Sequence, residues 1–370
     1  MTYKYAVWSG GATSGGGLSV GTAWDVAYAL ADPSRLSGGD ELRICDGAQH
    51  TMTFAARLMI RCGSGAKNNP VRIVGADASG NPYAGRRMAL AVLAGDNRAT
   101  WGSSAAVSPS LVTVDSVGGA GPGNPIQFWE IEDLAFDGVD GKPYTGIANQ
   151  GAANTVYNNF GGVLRNCAFE NVFHNVFSVS ACADQSGTLT VSKELRVQFL
   201  GGRLSTSVGG APIGVVISRP GPTAKSGVVV RDTLIDGKNT GGVGINLDAA
   251  VSASEVSGCV VQGGGGGIKY PVAHNGTVVT STVMRSSAWG LWLRDARDAA
   301  SACLISDMTV AGVQSDVNPL TAATHLLTDM TFINCLANLY NIQGDEAVDL
   351  LSTYRALRGG VRARLRNRAA

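Results

Sequence analysis

A spaced set of aromatic and polar residues in the second half of the chain offers the most informative chemistry. The predicted outward-facing column consists of Phe177, Asn246, Lys269, Trp292, Asn318 and Tyr340. Aromatic rings can stack on sugar rings, and amide or charged groups can bond hydroxyls and carboxylates. The column therefore favours a surface that binds a polysaccharide. The alternative is an amphipathic face without a ligand, because every sheet exposes some such column.

Three residues in or beside this column are candidates for catalysis, namely Asp248, Lys269 and Arg294. Glycoside hydrolysis requires two carboxylates roughly 5 to 10 Å apart, whereas Asp248 has no obvious carboxylate partner on the next repeat, where Lys269 lies. Elimination from a uronate requires basic groups, which Lys269 and Arg294 could supply. Binding without cleavage is the favoured interpretation, and a polysaccharide lyase or glycoside hydrolase acting on an acidic glycan is the alternative.

A repeated pattern must position these residues. The octapeptide V-R-D-T-L-I-D-G at residues 230–237 returns along the chain, and its third residue serves as an anchor. The predicted anchors are Asp133, Asn166, Arg196, Asp232, Gly258, Ser281, Asp307 and Asp329. An apolar residue follows each anchor three positions later, and Gly, Asn or Ser follows two positions after that. Because Gly and Asn tolerate left-handed backbone angles, the last position indicates a bend.

Repeats of 22 to 36 residues, built from strand-length runs, are typical of a solenoid whose coils stack and share one core. A further apolar residue lies ten positions past five anchors, at Val176, Ile268, Leu291, Val317 and Leu339, and three positions later in the Asp232 repeat, at Ile245. This repeated apolar position predicts a second stacked strand, and the residue after it in each coil belongs to the outward column. A β-sandwich is the competing fold, but it does not repeat a bend at a fixed offset.

The sequence divides into three segments. Residues 1–37 contain a predicted capping helix near 22–31, in which Thr22 caps and Trp24, Ala27 and Leu30 share a face. Residues 38–342 form the solenoid. Residues 343–370 carry a predicted short amphipathic helix, from Val348 to about residue 357, and a tail with six arginines in residues 355–370. The tail is either solvated or a segment that docks on a partner. Its arginines are not interleaved with aromatic residues, so they do not indicate a nucleic-acid-binding domain.

Other classes of function find little support. The net charge is +1, and no apolar run is long enough to span a membrane. The seven cysteines form no C-x-x-C motif, so they are interpreted as small buried residues, and the four histidines lack metal-ligand spacing. No metal site and no cofactor are expected. The N-terminus lacks the apolar core of a signal peptide, which predicts synthesis in a cytoplasm.

The order of these elements resembles a known superfamily. A capping helix precedes the G-G-D strand at 38–40, the segment G-S-G-A-K-N-N-P-V-R-I-V-G at 63–75 and the short coils closed by Asn, Asp or Gly. This order resembles the right-handed parallel β-helix proteins of the pectate-lyase-like superfamily, in which phage tailspikes and virion spikes form one branch. The resemblance implies an all-β, single-stranded, right-handed parallel β-helix over most of the chain. It implies no activity, because the G-H-G, R-I-K and R-x-P-x-x-R motifs of its enzymes are absent.

The resemblance also implies a setting for the protein. We expect a phage-like virion spike, made in the host cytoplasm and carried on the virion, that binds a bacterial surface polysaccharide as a homotrimer. Its other partners would then be virion proteins, either an adaptor or components of the capsid or tail.

Overall fold

A computed structural model provides the architecture. It describes residues 1–8, 10–45, 50–53, 58–60, 65–66, 68–84, 88–94, 110–115, 128–137, 145–150, 162–172, 175–180, 197–206, 213–218, 228–238, 241–247, 254–270, 278–285, 288–294, 298–316, 327–341 and 346–348.

Strands are the main element of the described chain. The first strands are β1 (Thr2–Val7), β2 (Trp24–Asp25), β3 (Asp40–Cys45), β4 (His50–Thr53), β5 (Leu58–Ile60), β6 (Val71–Ala76), β7 (Met88–Ala94), β8 (Ser110–Asp115), β9 (Trp129–Glu132) and β10 (Leu134–Asp137). Next come β11 (Thr145–Gln150), β12 (Val163–Val172), β13 (Asn175–Ser180), β14 (Val197–Thr206), β15 (Ile213–Ser218), β16 (Val228–Asp236), β17 (Val243–Asn246), β18 (Glu255–Ser257), β19 (Val260–Gln262) and β20 (Gly266–Lys269). The last are β21 (Val278–Thr280), β22 (Val283–Arg285), β23 (Trp289–Leu293), β24 (Ala299–Ser301), β25 (Leu304–Ser306), β26 (Ala311–Ser315), β27 (Leu327–Thr328), β28 (Thr331–Ile333), β29 (Leu339–Asn341) and β30 (Glu346–Val348).

These strands form two sheets, one of 19 strands and one of 11. Within the second sheet the order is β5-β8-β11-β13-β15-β17-β20-β23-β26-β29-β30, so each strand pairs with the strands one coil before and after it. The pairs are parallel up to β26–β29, and β29–β30 is antiparallel. The predicted all-β fold, a parallel β-helix, is therefore confirmed.

The anchor itself is a left-handed backbone position, and so is the bend predicted five residues later at Asn171, Gly263 and Asn334, with φ of 54°, 70° and 53°. The φ angle lies between 47° and 62° at six predicted anchors, Asp133, Asn166, Asp232, Gly258, Ser281 and Asp329. Polar side chains also connect successive bends, since Asn166 Nδ2 donates to Asp133 Oδ1 at 2.6 Å. Short polar side chains suit such a position because they tolerate its backbone angles and can bond neighbouring groups.

Two predicted anchors were wrong, and both were displaced by five residues. In the third repeat the left-handed residue at the anchor is Gly201, with φ of 71°, rather than Arg196. In the seventh it is Ala302, with φ of 52°, whereas Asp307 occupies the second bend of that coil. There Asp307 Oδ1 accepts a hydrogen bond from Asn334 Nδ2 at 3.1 Å. Each coil has two bends that favour the same residue types, so a sequence pattern can confuse them.

Columns of apolar residues fill the space between the sheets. The column before the anchor includes Val230, Val256, Val279, Ala300 and Leu327, which pair in register. The column after it includes Ile235, Val261, Met284, Ile305 and Phe332. All ten are buried, and stacking them continuously stabilises coils that could not fold alone.

Buried thiols stabilise the bend. Cys167, Cys259 and Cys303 each follow an anchor position and are buried and free, as the sequence predicted, whereas Cys335 is only half-buried. Cys259 Sγ contacts the carbonyl oxygens of Ser257 at 3.3 Å and Val230 at 3.5 Å. Thr233 occupies the same position one coil earlier, and its hydroxyl donates to Arg231 O at 2.7 Å. In these coils the position holds a small side chain that donates to a backbone carbonyl, whereas Leu134, Gly202 and Met330 occupy it in other coils.

The N-terminal cap differs from the prediction. Its α-helix, α1, comprises Val26–Leu30 only, and Asp25 rather than Thr22 caps it, with Oδ1 accepting from Ala27 N at 2.9 Å. Trp24 belongs to strand β2, and Ala27 is exposed instead of facing the core. Strand β1 also pairs in parallel with β3. The parallel sheet thus begins at Thr2, earlier than the predicted start at residue 38.

At the C-terminal end, the predicted helix over Val348 was wrong at that residue. Val348 belongs to β30 and pairs with Leu339, which covers the edge of the second sheet. Residues 349–370 lie outside the described part of the chain. Within the described ranges, no helix is long and apolar enough to cross a membrane.

Candidate functional site

The second sheet presents one outward residue per coil in a continuous register. The ladder consists of Asn246, Lys269, Trp292, Gln314 and Tyr340, on β17, β20, β23, β26 and β29. The predicted column is therefore correct in its placement of Asn246, Lys269, Trp292 and Tyr340. Consecutive members are separated by one interstrand step of roughly 4.8 Å.

Two predicted members of the column do not belong to the ladder as placed. Phe177 pairs with Val215, and Val215 pairs with Ile245, so Phe177 shares the register of the residue before Asn246. Asn318 lies outside the described residues, and Gln314 occupies the expected position instead. The error at Asn318 follows from the misplaced anchor, because offsets counted from Asp307 start too late in the coil.

The ladder is recessed rather than fully open. Asn246 is 8% exposed and Gln314 is 6% exposed, although both side chains belong to the outward column. Lys269, Trp292 and Tyr340 are half-buried. The side-chain oxygen Oδ1 of Asn246 is buried and accepts no hydrogen bond from the described residues. Such an acceptor costs free energy unless a donor reaches it.

An aromatic pair dominates the middle of the face. The ring centroids of Trp289 and Trp292 are 5.4 Å apart, and their planes are nearly perpendicular at 83°. Lys269 Nζ lies 4.8 Å from the centroid of the Trp292 ring. This distance is suitable for a cation–π contact. The three side chains form one cluster on adjacent coils.

A carboxylate fixes the edge of this cluster. Trp292 Nε1 donates to Asp316 Oδ1 at 2.9 Å, and Arg294 Nε donates to Asp316 Oδ2 at 3.2 Å. The backbone N–H of Arg294 donates in turn to the buried carboxylate of Asp298 at 2.7 Å. Both oxygens of Asp316 are therefore engaged in orienting its neighbours.

The catalytic candidates are brought together only in part. Lys269 and Arg294 lie on adjacent coils of the same face, but Arg294 is engaged with Asp316. Asp248 lies outside the described residues, so the structure does not test the carboxylate that hydrolysis would require. No group of three His, Cys, Asp or Glu residues that could hold a metal ion occurs in the described part of the chain.

Glycines let the two sheets approach closely behind the ladder. A Cβ atom at Gly290 would lie 2.6 Å from Ile305 Cγ2, in the core of the first sheet. Gly244 stands in the same way against Val261, and Gly312 against Phe332. The second sheet is therefore held at a fixed depth, which places its outward side chains consistently from coil to coil.

Sequence reasoning missed Trp289, Gln314 and Asp316. Trp289 and Trp292 form the motif W-G-L-W, in which the spacing of three departs from the period of two in a regular strand. The spacing of three was a usable signal that the strand is irregular at this point. Gly290, between the two tryptophans, allows both rings to face outward. Gln314 and Asp316 were missed because they follow the misplaced anchor.

Comparison with known proteins identifies a shared architecture. No known protein family and no curated protein sequence matches the chain. Among solved structures, the chain is similar to a GH136 lacto-N-biosidase from Eubacterium ramulus, with a TM-score of 0.56 and 12% identity, over 92% of this chain and 62% of that chain. A structure of XylC with xylose has a TM-score of 0.47 and 9% identity, over 91% of this chain and 76% of that chain. The chain therefore spans about 62% of the length of the GH136 structure, and that similarity supports the β-helix fold alone.

Proposed function

We propose that the chain binds an extended glycan along the outward face of the second sheet. The observation that carries the proposal is the five-residue ladder from Asn246 to Tyr340, which presents one side chain on each of five successive coils. Each step is roughly 4.8 Å, which is about the length of one sugar residue. An extended polysaccharide could therefore contact every coil in turn.

The side chains of the ladder match the surface of a sugar polymer. The amides of Asn246 and Gln314 can donate to and accept from hydroxyls, and the Trp292 cluster offers apolar area. A hydroxyl donor would also satisfy Asn246 Oδ1, which is buried and unbonded among the described residues. The ammonium of Lys269 adds a contact for an acidic glycan.

The proposal is tested by measuring affinity for a panel of soluble polysaccharides: a β-galactan, a xylan, a polygalacturonate and a dextran. Trp292→Ala should weaken binding of the preferred glycan by about 10-fold, the scale of a binding hot spot. Lys269→Ala should weaken binding only if that glycan is acidic. Arg285→Ala, exposed on the first sheet, is the control and should leave affinity unchanged. Wild-type affinity in Trp292→Ala would remove this face from consideration.

The finer proposal is that the glycan coats a bacterial surface and the chain is a phage-like virion spike. Its capping and coil motifs resemble a superfamily in which phage spikes form one branch, and this resemblance supports the role. The proposal includes a homotrimeric assembly and attachment through an adaptor, capsid or tail protein. Mass spectrometry of purified particles should detect the chain, and sedimentation should give three times its monomer mass. A monomer in solution would contradict the trimer.

Cleavage of the bound glycan is the second candidate, because Lys269 and Arg294 lie on adjacent coils of the binding face. Both reactions would release new reducing ends, but only elimination would also produce unsaturated uronates that absorb in the ultraviolet. Turnover that is lost in Lys269→Ala or Asp248→Asn, with binding retained, would favour an enzyme over a binding protein.

A further inference from the structure

Trp289 lies directly on the backbone of the preceding coil. It pairs in register with Gly266 of β20, and a Cβ atom at Gly266 would collide with Cζ2, Cε2 and Cη2 of the Trp289 ring. These three carbons are consecutive in the six-membered ring, and the third would be 2.6 Å away. Such similar close approaches indicate that the ring covers the glycine with its face. Glycine is therefore the residue that permits this placement.

Trp292 stands upright beside this flat ring. The two planes meet at 83° with their centroids 5.4 Å apart. The indole N–H of Trp292 is held by Asp316, and Lys269 Nζ lies over its ring. Two side chains on the neighbouring coils thus restrain Trp292, whereas Trp289 is half-buried with one face against Gly266.

We infer that Trp289 on Gly266 is the stacking platform for one sugar residue, and that Trp292 is the wall beside it. The inference rests on the proposed glycan binding and names the class of sugar at that step. A floor and a perpendicular wall fit a pyranose that turns a face of C–H bonds to Trp289 and an edge to Trp292. A flat, rigid ring provides large contact area while few rotatable bonds are immobilised.

This assignment separates two tryptophans that the sequence alone could not separate. The face of Trp292 nearest Lys269 already contacts a cation, so its role is to limit where a sugar can lie. The outer face of Trp289 lies on the side away from the backbone, where a ligand on the ladder would pass. Trp289 is therefore the residue on which the sugar stacks.

The test measures the affinity of variants for the glycan that binds best among the four polysaccharides named above. Trp289→Ala should weaken binding about 10-fold or more, since it removes the platform. Trp289→Phe should recover part of that loss, because a smaller flat ring remains. Gly266→Ala should weaken binding several-fold by displacing the Trp289 ring, although the variant retains every aromatic residue. Gly241→Ala is the matched control, because a Cβ atom there meets nothing within 4 Å.

Each outcome decides between distinct conclusions. Losses in Trp289→Ala and Gly266→Ala, with Gly241→Ala at wild-type affinity and melting temperatures unchanged, support the platform. Wild-type affinity in Gly266→Ala overturns it even if Trp289→Ala fails to fold. If Trp292→Ala loses binding while both Trp289 variants bind normally, the platform is wrong but the glycan face stands. If the wild-type chain binds none of the four glycans, the proposed function fails and the platform fails with it.

Discussion

The outward faces of the two sheets use charged side chains in different ways. On the first sheet, Arg72 pairs with Glu41 of the preceding coil and with Glu130 and Glu132 of the following coil. On the second sheet, the ammonium of Lys269 lies over an aromatic ring. In the first arrangement opposite charges satisfy one another across successive coils. In the second, the column is composed of groups that a sugar can also contact.

The difference shows how one stacking rule yields two kinds of surface. A parallel β-helix places like register positions above one another, so each outward column must avoid repulsion between neighbours. The Arg72 column avoids it by alternating sign, which ties three coils together. The ladder avoids it by using amides and aromatic rings around a single lysine. The first column therefore contributes to stability, and the second leaves polar groups and apolar area for a ligand.

The largest expected effect comes from breaking the alternating column. Arg72→Met removes the cation between three carboxylates and leaves the buried Glu41, which is 3% exposed, with Arg43 as a remaining ion-pair partner. A buried carboxylate that loses a partner is costly, so the free energy of unfolding should fall by roughly 3 to 4 kcal/mol. Urea denaturation monitored by circular dichroism measures the change.

A matched variant on the same face tests whether burial causes this loss. Arg231 and Glu255 form a two-bond ion pair, but their side chains are 47% and 33% exposed. Arg231→Met should therefore cost less than about 1 kcal/mol. If Arg72→Met and Arg231→Met lower the free energy of unfolding equally, burial does not determine how much an ion pair on this face contributes to stability.

The next effect concerns the glycines that set the depth of the second sheet. Gly244→Ala would press a methyl group onto Val261, closer than a real side chain can lie. Overpacking of this kind should lower the free energy of unfolding by roughly 2 to 3 kcal/mol. The double variant Gly244→Ala/Val261→Ala should lose less free energy of unfolding than the sum of the losses in the two single variants, because the alanine at position 261 removes the colliding methyl group. Strict additivity would mean that the two residues are not in contact.

Much of the fold was predictable because stacked coils repeat their chemistry. Apolar columns and left-handed Asp, Asn and Gly residues carry a strong signal, and the parallel β-helix follows from them. The position of an individual coil was less predictable. Ala302 adopts a left-handed angle that its residue type does not favour, and the neighbouring coils hold it there. A local pattern therefore selected Asp307, whose residue type fits a bend but whose position is the second one.

The candidate site shows the same limit in another form. Asn246, Lys269 and Trp292 lie on coils with correct anchors, and their alignment was predicted. The prediction placed Asn318 at the position that Gln314 occupies, because the anchor of that coil was misplaced. The roles of Trp289 and Gly266 depend on how a ring packs across two coils, which no spacing along the chain contains.

A smaller effect tests the buried thiols under the first sheet. Burial raises the pKa of Cys259 to about 11, from an ordinary value of 9.0. Between these values the unfolded thiol loses its proton while the folded thiol keeps it, so stability should decrease as pH rises from about 9 to 11. Cys259→Thr should abolish roughly 2 kcal/mol of that decrease, since threonine does not titrate there and Thr233 and Thr282 fill equivalent positions. An unchanged slope of stability against pH would contradict the assignment.

The smallest effect should be confined to the glycan face. Asp316→Ala removes the acceptor that holds the Trp292 indole N–H, so the wall should become mobile and glycan affinity should fall by about 1 kcal/mol. The free energy of unfolding should fall less than in Arg72→Met, because Arg294 and Asp316 are 20% and 29% exposed whereas Glu41 is 3% exposed. Arg294→Met keeps the bond between Asp316 and Trp292 and should reduce affinity less. If Arg294→Met weakens binding as much as Asp316→Ala, the ion pair rather than the orientation of Trp292 controls the face. In that case the second sheet would resemble the first, where charge pairing is the organising interaction.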